Sequence, residues 1–596
     1  MGLSQHAYPE SLVMNRTLGP IVQLCLQNSF PEAERHCLEL IEKGEDASAA
    51  SHLLAIISYQ TGRQMDAVRI LKELQSNGLL NPNMEVTSGL IAEDQRLEHT
   101  AIFHYEAALR LDPDHFEANW CLGLVRHRRR EFEDAEDRYR HAYALRPADT
   151  KILINLGVLL KHRERLSEAE GFLRDAVRIA PKHVGALSNL GAVLVGLGNF
   201  QEAKNVFENA LNQEPNNTHL LNHLGYLHEQ LEQWECAEKL FRTAHRLTPG
   251  CLVSRNNIGR TLRETNRLKE SELFLRETLD YDPDYGETRL NLALSLLQQS
   301  KFREGWKYYE FRPPEARVLR RMASLPLWQG QELAGERLLV SAEGGIGDMI
   351  QFSRYLILLG RLDCELTFEV PDRAVGLFEN QFDGVNVVAA GGKKQGFDLQ
   401  TRLMSLPLLT RNPEPWNPEH SYYLQPLESR KKHWSQQFSM SDKTRIGICW
   451  QGSSTSDISR DIPLEAFKPL AALKGVQLFS IQLKPGANEL STNEWHGSVI
   501  DLSTRIDKDY IFSDTSAIFA NMHMVVSSDT GPAHLAGALG IRTCLALKTI
   551  PEWRWGFEGD HTPWYSNVRL FRRSDRDDWH SVLNRIAEHV AGALSH

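Results

Sequence analysis

Residues 181–215 have the sequence PKHVGALSNLGAVLVGLGNFQEAKNVFENALNQEP, and the same arrangement of small residues and prolines recurs along the first half of the chain. Ten residues separate the first proline from Gly191, and 22 residues separate it from Ala203. A fixed period is the signature of a repeat architecture. The repeat prolines follow one another at intervals of 34 residues, at Pro113, Pro147, Pro181, Pro215, Pro249 and Pro283.

The small residues predict pairs of antiparallel helices that approach each other closely. Glycine and alanine allow the close crossing, while larger residues such as Phe207 and Phe241 fill the remaining space. Proline ends each second helix, because it cannot donate the next backbone hydrogen bond. The pattern resembles the tetratricopeptide repeat, and we predict about eight helix pairs in a superhelix over residues 1–312. Such arrays are binding surfaces.

One polar position recurs two residues before the glycine of successive repeats. If this position faces the groove of the superhelix, it holds an extended acceptor peptide, because an amide both donates and accepts hydrogen bonds. The alternative is that these side chains form local bonds within their own repeat, and the sequence leaves both interpretations open. The position is occupied by Asn155, Asn189, His223, Asn257 and Asn291.

After residue 312 the period ends, and short β-rich segments alternate with helical ones. This alternation predicts parallel sheets flanked by helices. We predict an α plus α/β chain, with a linker over residues 313–335 and two Rossmann-like domains, over 336–432 and 433–596, around a cleft. Strands are predicted at residues 338–342, 367–370, 385–388, 446–450, 478–481, 524–526 and 543–546.

The turn after the first predicted strand has the sequence EGGIGD, residues 343–348. Its glycines let the backbone approach a ligand, and the helix that follows offers free amides. It is neither a dinucleotide-binding fingerprint nor a P-loop. Asp348 stands at the helix start, where it is either a cap or a functional carboxylate.

The second turn, SSDTGPAHLAGA at residues 527–538, follows another predicted strand. We expect the amides of Gly531, Ala533 and His534 to point outward at a helix start, which forms a site suited to phosphate. His534 either adds a donor or a charge to this site or is a buried histidine bonded to a carbonyl.

Six segments together resemble the bacterial tetratricopeptide-fused glycosyltransferases related to the heptosyltransferase-like family. The resemblance covers nearly the whole chain. It implies a GT-B fold, with the nucleotide-sugar donor held mainly by the C-terminal domain and the acceptor approaching from the N-terminal side. The segments are residues 338–355, 450–452, 462–464, 529–540, 551–555 and 563–565.

The resemblance implies that Asp348 is the general base that removes a proton from the acceptor hydroxyl. Lys484 matches a basic position near the donor phosphates, and Arg460 is a weaker candidate for the same role. The loop that begins at Gln451 departs from the Ala-Gly-Asn common in relatives, which leaves the identity of the donor open. The implied donor site comprises Gly345, Gly347, Trp450, Gln451, Gly452, Arg460, Lys484, Asp529, Thr530, Gly531 and His534.

A helix start with a lysine or arginine stabilises a leaving phosphate without a metal, so we predict a metal-independent transferase that needs no cofactor. The combination with a peptide-binding superhelix resembles eukaryotic O-linked N-acetylglucosamine transferases and bacterial flagellin glycosyltransferases. The latter resemblance suggests serine or threonine of flagellin as acceptor and a CMP-activated nonulosonic acid of the pseudaminic type as donor. Alternatives are a transferase acting on lipopolysaccharide or another glycan, and an adaptor with a non-catalytic transferase-like half.

Composition argues against several other classes of protein. The 67 basic and 77 acidic residues give a net charge of −10, which disfavours nucleic acid as a partner. The eight cysteines include no C-x-x-C pair, which excludes zinc ribbons and favours a reducing, cytoplasmic location. There is no apolar stretch of about 18 residues that could span a membrane. Tetratricopeptide arrays often dimerise, and the sequence leaves the oligomeric state open.

Overall fold

A computed structural model describes most of the chain as two compact units, Met1–Thr248 and Pro249–His596. The described residues are 8, 10–79, 81–313, 325–391, 396–416, 422–438, 442–452, 458–483, 486, 489–492, 498–574 and 577–594.

The first unit is helical throughout its described residues. After a short first helix, consecutive helices pack in seven pairs. The helices are α1 Glu10–Val13, α2 Gly19–Leu26, α3 Phe30–Lys43, α4 Ala47–Gln60, α5 Gln64–Ser76, α6 Pro82–Asp94, α7 Glu98–Leu111, α8 Phe116–Arg128, α9 Phe132–Leu145, α10 Thr150–His162, α11 Leu166–Ile179, α12 Val184–Gly196, α13 Phe200–Gln213, α14 Thr218–Gln230 and α15 Trp234–Leu247.

The repeat glycines lie where the two helices of a pair cross. A Cβ atom placed on Gly191 would lie 2.5 Å from the ring of Phe207, and one on Gly225 would lie 2.4 Å from the ring of Phe241. Ala203, at the corresponding small position of the second helix, is fully buried. The predicted close crossing of the helices is therefore confirmed.

The second unit begins with two further helix pairs. The described residues thus contain nine pairs rather than the predicted eight or so, because the pattern of the first pair is too weak to recognise in the sequence. These helices are α16 Leu252–Glu264, α17 Leu268–Tyr281, α18 Gly286–Gln298 and α19 Phe302–Tyr309.

The last helix pair packs into the core of the sheet-containing region. Trp306 is fully buried and donates its indole N–H to the carbonyl of Pro413 at 2.8 Å. Its ring also meets Phe352 and Trp553 edge-on, at centroid distances of 5.6 Å and 5.4 Å. The boundary between the compact units therefore lies at Pro249 and not at residue 312, where the sequence repeat ends. The reason is that the last repeat helices pack against the region that contains the sheets.

A buried ion pair joins the end of the repeats to the first sheet. The side chains of Arg312 and Glu343 are 6% and 5% exposed, and Arg312 Nε donates to Glu343 Oε2 at 3.1 Å. Arg312 also donates to Ser405 Oγ at 3.0 Å, and the amide of Met404 donates to Glu343 at 3.0 Å. These bonds satisfy both charges, as burial of an ion pair requires.

The first sheet has four parallel strands in the order β3-β2-β1-β4. Its strands are β1 Glu336–Ser341, β2 Cys364–Val370, β3 Val385–Ala389 and β4 Leu399–Arg402. The associated helices are α20 Ile346–Ser353, α21 Leu356–Leu359, α22 Val375–Phe378 and α23 Leu406–Leu409.

The second sheet has seven strands in the order β10-β11-β9-β8-β5-β6-β7, and only β10 is antiparallel to its neighbour. The strands are β5 Thr444–Cys449, β6 Val476–Ser480, β7 Val499–Asp501, β8 Met524–Ser528, β9 Thr543–Leu547, β10 His561–Thr562 and β11 Tyr565–Arg572. The helices are α24 Glu428–Phe438, α25 Lys468–Ala471, α26 Glu489–Thr492, α27 Ile511–Phe519, α28 Gly531–Ala538 and α29 Trp579–Leu594.

Both sheets have the strand order of doubly wound folds. Without β10, the second sheet runs 3-2-1-4-5-6 in its own chain order, and the first sheet runs 3-2-1-4. In such sheets a ligand binds at the carboxyl ends of the strands, where the strand order reverses. That point lies between β1 and β4 in the first sheet and between β5 and β8 in the second.

The predicted parallel-sheet region is confirmed. Each predicted strand overlaps an observed one. The segment predicted at 338–342, for example, shares residues 338–341 with β1. Four strands, β4, β7, β10 and β11, were not predicted. The first three have only two to four residues each, too few to show a hydrophobic pattern.

Candidate active site

A cavity of about 890 Å³ lies at the carboxyl ends of the strands of both sheets. The turn Gly344–Asp348 lines it after β1, and Gln451 and Gly452 line it after β5. Asp529 and the start of α28 line it after β8. The two points where strand order reverses therefore open into the same space, which is large enough for a nucleotide-sized ligand.

The glycine-rich turn positions Asp348. Gly344 has a φ of +72°, which favours glycine, and a Cβ atom there would lie 2.5 Å from Asp348 Oδ2. The amide of Gly345 donates to the same oxygen at 2.9 Å. One carboxylate oxygen of Asp348 thus caps α20, and this leaves the second oxygen for other contacts.

The second oxygen of Asp348 accepts a hydrogen bond from Arg554 Nη2. Arg554 also donates to Gln351 Oε1 at 2.7 Å and pairs with Glu552, so its guanidinium is held on three sides. Burial raises the pKa of Asp348 above its ordinary value, although Arg554 partly opposes this effect. A raised pKa makes the deprotonated carboxylate a stronger base.

The start of α28 faces the same cavity. Thr530 is the N-cap residue, and its side chain makes no bond to the first turn of the helix. Its hydroxyl donates instead to the carbonyl of Ser528 at 3.3 Å. The amide of Ala533 donates to the carbonyl of Thr530 at 3.0 Å, so the prediction that this amide points outward is wrong. The turn begins at Gly531, which lines the cavity.

The two turns are in direct contact. A Cβ atom placed on Gly347 would lie 2.9 Å from His534 Cδ2 and 3.5 Å from Gly531 Cα. A Cβ atom on Gly531 would lie 2.6 Å from Ile346 Cγ2. Glycine is therefore required at both positions for this approach, which brings the turn that carries Asp348 against the start of α28.

His534 is a buried, neutral side chain. Its Nδ1 lies 3.0 Å from the hydroxyl of Tyr565, and its ring lies against Trp555 at a centroid distance of 5.0 Å. Burial lowers the pKa of His534 well below its usual range, and nearby arginines add to this effect. His534 therefore brings no charge to the site, and its Nδ1 pairs with a hydroxyl, whereas the buried alternative drawn from the sequence had a carbonyl as the partner.

Asp529 is a second buried carboxyl group in the cavity wall, with an exposed fraction of 7%. Burial raises the pKa of Asp529 to about 7, and the carboxylate of Glu552 acts in the same direction. Arg460 opposes the shift; its Nη1 lies 3.9 Å from Glu552 Oε1. Near neutral pH, Asp529 is therefore present in both protonation states.

The residues predicted to form the donor site divide into three groups. Trp450 is fully buried in the core beside Phe467, so the structure does not support contact between its side chain and a ligand. Lys484 lies outside the described residues, as does the loop 453–457. The remaining predicted residues line the cavity: Gly345, Gly347, Gln451, Gly452, Arg460, Asp529, Thr530, Gly531 and His534.

Several cavity residues were not predicted. Arg554 belongs to the quoted segment at 551–555, and Lys548 follows β9 and donates to Ser459 Oγ at 3.1 Å. A basic residue at the carboxyl end of a predicted strand was a signal that sequence reasoning could have used. Arg263 and Gln298 gave no such signal, because they resemble ordinary polar residues near the ends of repeat helices.

The recurring polar position of the repeats makes bonds within the array. Asn189 donates to the carbonyl of Gly185 at 2.8 Å in its own helix. His223 Nδ1 lies 3.0 Å from Ser188 Oγ, and Asn291 donates to Asn256 at 2.9 Å; both contacts reach back to the preceding repeat. Burial lowers the pKa of His223 to about 4, so it is uncharged at neutral pH.

Two of the five residues at this recurring polar position have other environments. Asn155 is half-buried, and Asn257 is buried with an exposed fraction of 8%. Peptide binding by the residues at this position stays a prediction. The contacts of Asn189, His223 and Asn291 favour the alternative that these three side chains bond within the repeat array.

The described residues contain neither a candidate metal site nor a candidate membrane span. Within those ranges, no group of three or more histidine, cysteine, aspartate or glutamate side chains is placed to hold a metal ion. None of the helices in the same ranges has the length and apolar character needed to cross a membrane.

Known families match part of the repeats. Tetratricopeptide-repeat family models match residues 99–150, 127–184, 194–256 and 251–281. The chain contains tetratricopeptide repeats. Protein FlbA of Caulobacter vibrioides (strain ATCC 19089 / CIP 103742 / CB 15) is 27% identical over 327 residues, which are 50% of this chain and 53% of FlbA. The chain thus spans about half the length of this curated relative.

Solved structures with similar folds include two bacterial proteins. A tetratricopeptide repeat protein from Parabacteroides merdae is 14% identical, and the match covers 40% of this chain and 96% of that protein, with a TM-score of 0.36. PilF of Pseudomonas aeruginosa is 20% identical, and the match covers 35% of this chain and 95% of that protein, with a TM-score of 0.30.

Proposed function

We propose that this tetratricopeptide-repeat protein is an O-glycosyltransferase that moves a sugar from a nucleotide-sugar donor to serine or threonine of a bound protein. The observation that carries the proposal is the shared cavity of Asp348 and the start of α28 at Gly531. Glycosyl transfer needs a base for the acceptor and a stabilised leaving phosphate, and these two features have the corresponding chemistry.

In the proposed reaction, Asp348 takes the proton of the acceptor hydroxyl as that oxygen attacks the anomeric carbon. The bond between the anomeric carbon and the phosphate oxygen breaks, and its electron pair remains on the phosphate. The start of α28 stabilises the new charge, since backbone amides and the helix dipole favour an anion. Arg460 and Lys548, which line the same cavity, add positive charge.

The proposal that the acceptor is a protein rests on the repeats, which generally mediate protein–protein contacts. Flagellin is the candidate acceptor, and a CMP-activated nonulosonic acid of the pseudaminic type is the candidate donor. Both come from the resemblance of the sequence segments to flagellin glycosyltransferases. The donor is a substrate, and the proposed reaction needs no cofactor.

Replacement of Asp348 tests the proposed role of this residue. In Asp348→Asn, we expect the rate of sugar transfer to flagellin to fall by about 10²- to 10⁴-fold, because a general base contributes about that factor. The dissociation constant for CMP should stay within a few-fold of the wild-type value. Intact-mass spectrometry of flagellin measures the transfer, and calorimetry measures CMP binding.

The matched control is Asp398→Asn. Asp398 is paired with Arg337 at 2.9 Å on an exposed edge of the first sheet, away from the cavity. Its replacement should leave transfer unchanged. Undiminished transfer by Asp348→Asn would remove this residue from the mechanism, while failure of the wild-type chain to bind any nucleotide would favour an adaptor without catalysis. Activity on a glycan with no mass gain in any protein would favour the lipopolysaccharide alternative.

A further inference from the structure

The last two helix pairs of the repeats form one wall of the cavity. Arg263 and Glu264, at the end of α16, line it together with Leu294 and Gln298 of α18. The candidate active site is therefore built from the repeats as well as from the two sheets. This arrangement suggests that part of the repeat array contacts a substrate at the reacting centre itself.

Gln298 has an incomplete set of hydrogen bonds. The residue is 9% exposed, and its Oε1 is buried with no hydrogen-bond partner among the described residues. A buried acceptor without a donor is costly, and such groups in native proteins call for an explanation. Because Gln298 lines the cavity, a ligand that brings an N–H or O–H group would satisfy it.

The wall formed by α18 lies on the side of the proposed base. Helix α18 packs against residues Trp553–Trp555, the segment that holds Arg554 against Asp348. Arg263 is fixed on the same wall, since its Nη1 donates to Asn291 Oδ1 at 3.1 Å and its Nη2 donates to Glu264 at 2.6 Å. The acceptor, and not the leaving phosphate, must approach Asp348.

We infer that Gln298 accepts a hydrogen bond from a main-chain amide of the acceptor polypeptide, next to the serine or threonine whose hydroxyl reaches Asp348. The inference rests on the proposed function and adds to it a substrate contact made by the repeats. Gln298 is then a residue that binds the acceptor and acts on its affinity, while Asp348 acts on the proton.

The variant Gln298→Met tests this inference, because it keeps the length of the side chain and removes the acceptor oxygen. With flagellin and CMP-pseudaminic acid as assay substrates and the full chain as enzyme, we expect the KM for flagellin to rise about tenfold. The dissociation constant for CMP, measured by calorimetry, should not change. Gln299→Met is the matched control: Gln299 is the next residue, bonds to Glu272 at 2.9 Å and does not line the cavity. Its KM should equal the wild-type value.

Two results with the variant would overturn the inference. Equal KM values for Gln298→Met and the wild type would show that the side chain does not contact the acceptor. Weaker CMP binding with an unchanged KM for flagellin would assign Gln298 to the donor. A wild-type chain that transfers no sugar would instead remove the proposed function, and this outcome is distinguished from the others because it needs no variant. Circular dichroism of both variants checks that they fold.

Discussion

At the scale of single residues, the site depends on the pair formed by Asp348 and Arg554. These residues are 206 positions apart in the chain, yet their side chains share a hydrogen bond at the cavity wall. Arg554 opposes the effect of burial on the pKa of Asp348. The pair therefore sets the pH range over which a carboxylate is present to accept a proton.

Removal of the positive charge of Arg554 should shift the pH profile of the activity of the proposed transferase. Asp348 acts as a base only when deprotonated, so activity falls as the pH drops through its pKa. In Arg554→Met the opposing cation is gone, and the acidic limb of kcat/KM should move to higher pH by about 1–3 units. The control Arg337→Met, which breaks an exposed pair with Asp398, should leave the limb in place. An unmoved limb in Arg554→Met would contradict the assignment of that limb to Asp348.

A second pH dependence belongs to Asp529, whose pKa is about 7. Above that pH the carboxylate is charged and repels an anion at the start of α28. Asp529→Asn should therefore bind CMP more tightly than the wild type at pH 8.5, on the order of tenfold. At pH 5.5 the two proteins should bind CMP equally, since wild-type Asp529 is then protonated. Calorimetry at both values of pH measures the ratio of dissociation constants, and a ratio that does not change with pH would contradict this account.

At the scale of helices and strands, the repeat glycines set the distance between paired helices. Gly191 lies against the ring of Phe207 within one helix pair, and the same contact recurs between Gly225 and Phe241. Both partners of each contact lie 16 residues apart in the sequence. A local pattern of this kind is visible without a structure.

A single added methyl group should disrupt this contact. Gly191→Ala places a Cβ atom 2.5 Å from Phe207, and we expect a loss of about 1–3 kcal/mol in the free energy of unfolding. Gly171→Ala, on α11, is the control, because a Cβ atom there would meet nothing within 4 Å beyond its chain neighbours and the backbone of its own helix. It should be neutral or should stabilise the helix by up to about 1 kcal/mol. Thermal melts followed by circular dichroism measure both changes, and equal melting temperatures for the two variants would contradict the proposed crossing.

The features that could be predicted from the sequence are those formed by residues close together along the chain. The 34-residue period predicted the helix pairs, and alternating segments predicted most strands of the two sheets. The turns at Asp348 and Gly531 were recognised because each follows a buried strand and precedes a helix. Their mutual contact was not predicted from the sequence and is known only from the structure.

The rest of the site depends on contacts that leave no local pattern. Trp450 was predicted to end a strand and to belong to the donor site, but its side chain packs in the core beside Phe467. Arg554 and Gln298 reach the cavity only after segments far apart in sequence have packed together. Neither the period of a helix nor the alternation of a strand indicates such contacts.

At the scale of the whole molecule, the last two helix pairs of the repeats share one compact unit with the two sheets. Trp306 and Arg312, both from the end of the repeats, are buried against the first sheet. A division of the chain at the end of the sequence repeat would therefore cut through a core. The compact unit begins at Pro249.

Two fragments test this division. A fragment of residues 249–596 should be soluble and should melt in a cooperative transition. A fragment of residues 313–596 lacks Arg312 and so leaves the carboxylate of Glu343 without its ion-pair partner. It also exposes the apolar surface that Trp306 covers, so we expect aggregation or a markedly lower melting temperature. Equal solubility and melting temperature for both fragments would contradict the proposed boundary.

The most direct test of the proposed active site is a crystal structure of the full chain with CMP. The proposal predicts that the phosphate of CMP lies at the start of α28, within hydrogen-bond distance of the amide of Gly531, in the cavity that Asp348 also lines. A phosphate bound at another place, or a cavity without nucleotide at saturating CMP, would contradict it.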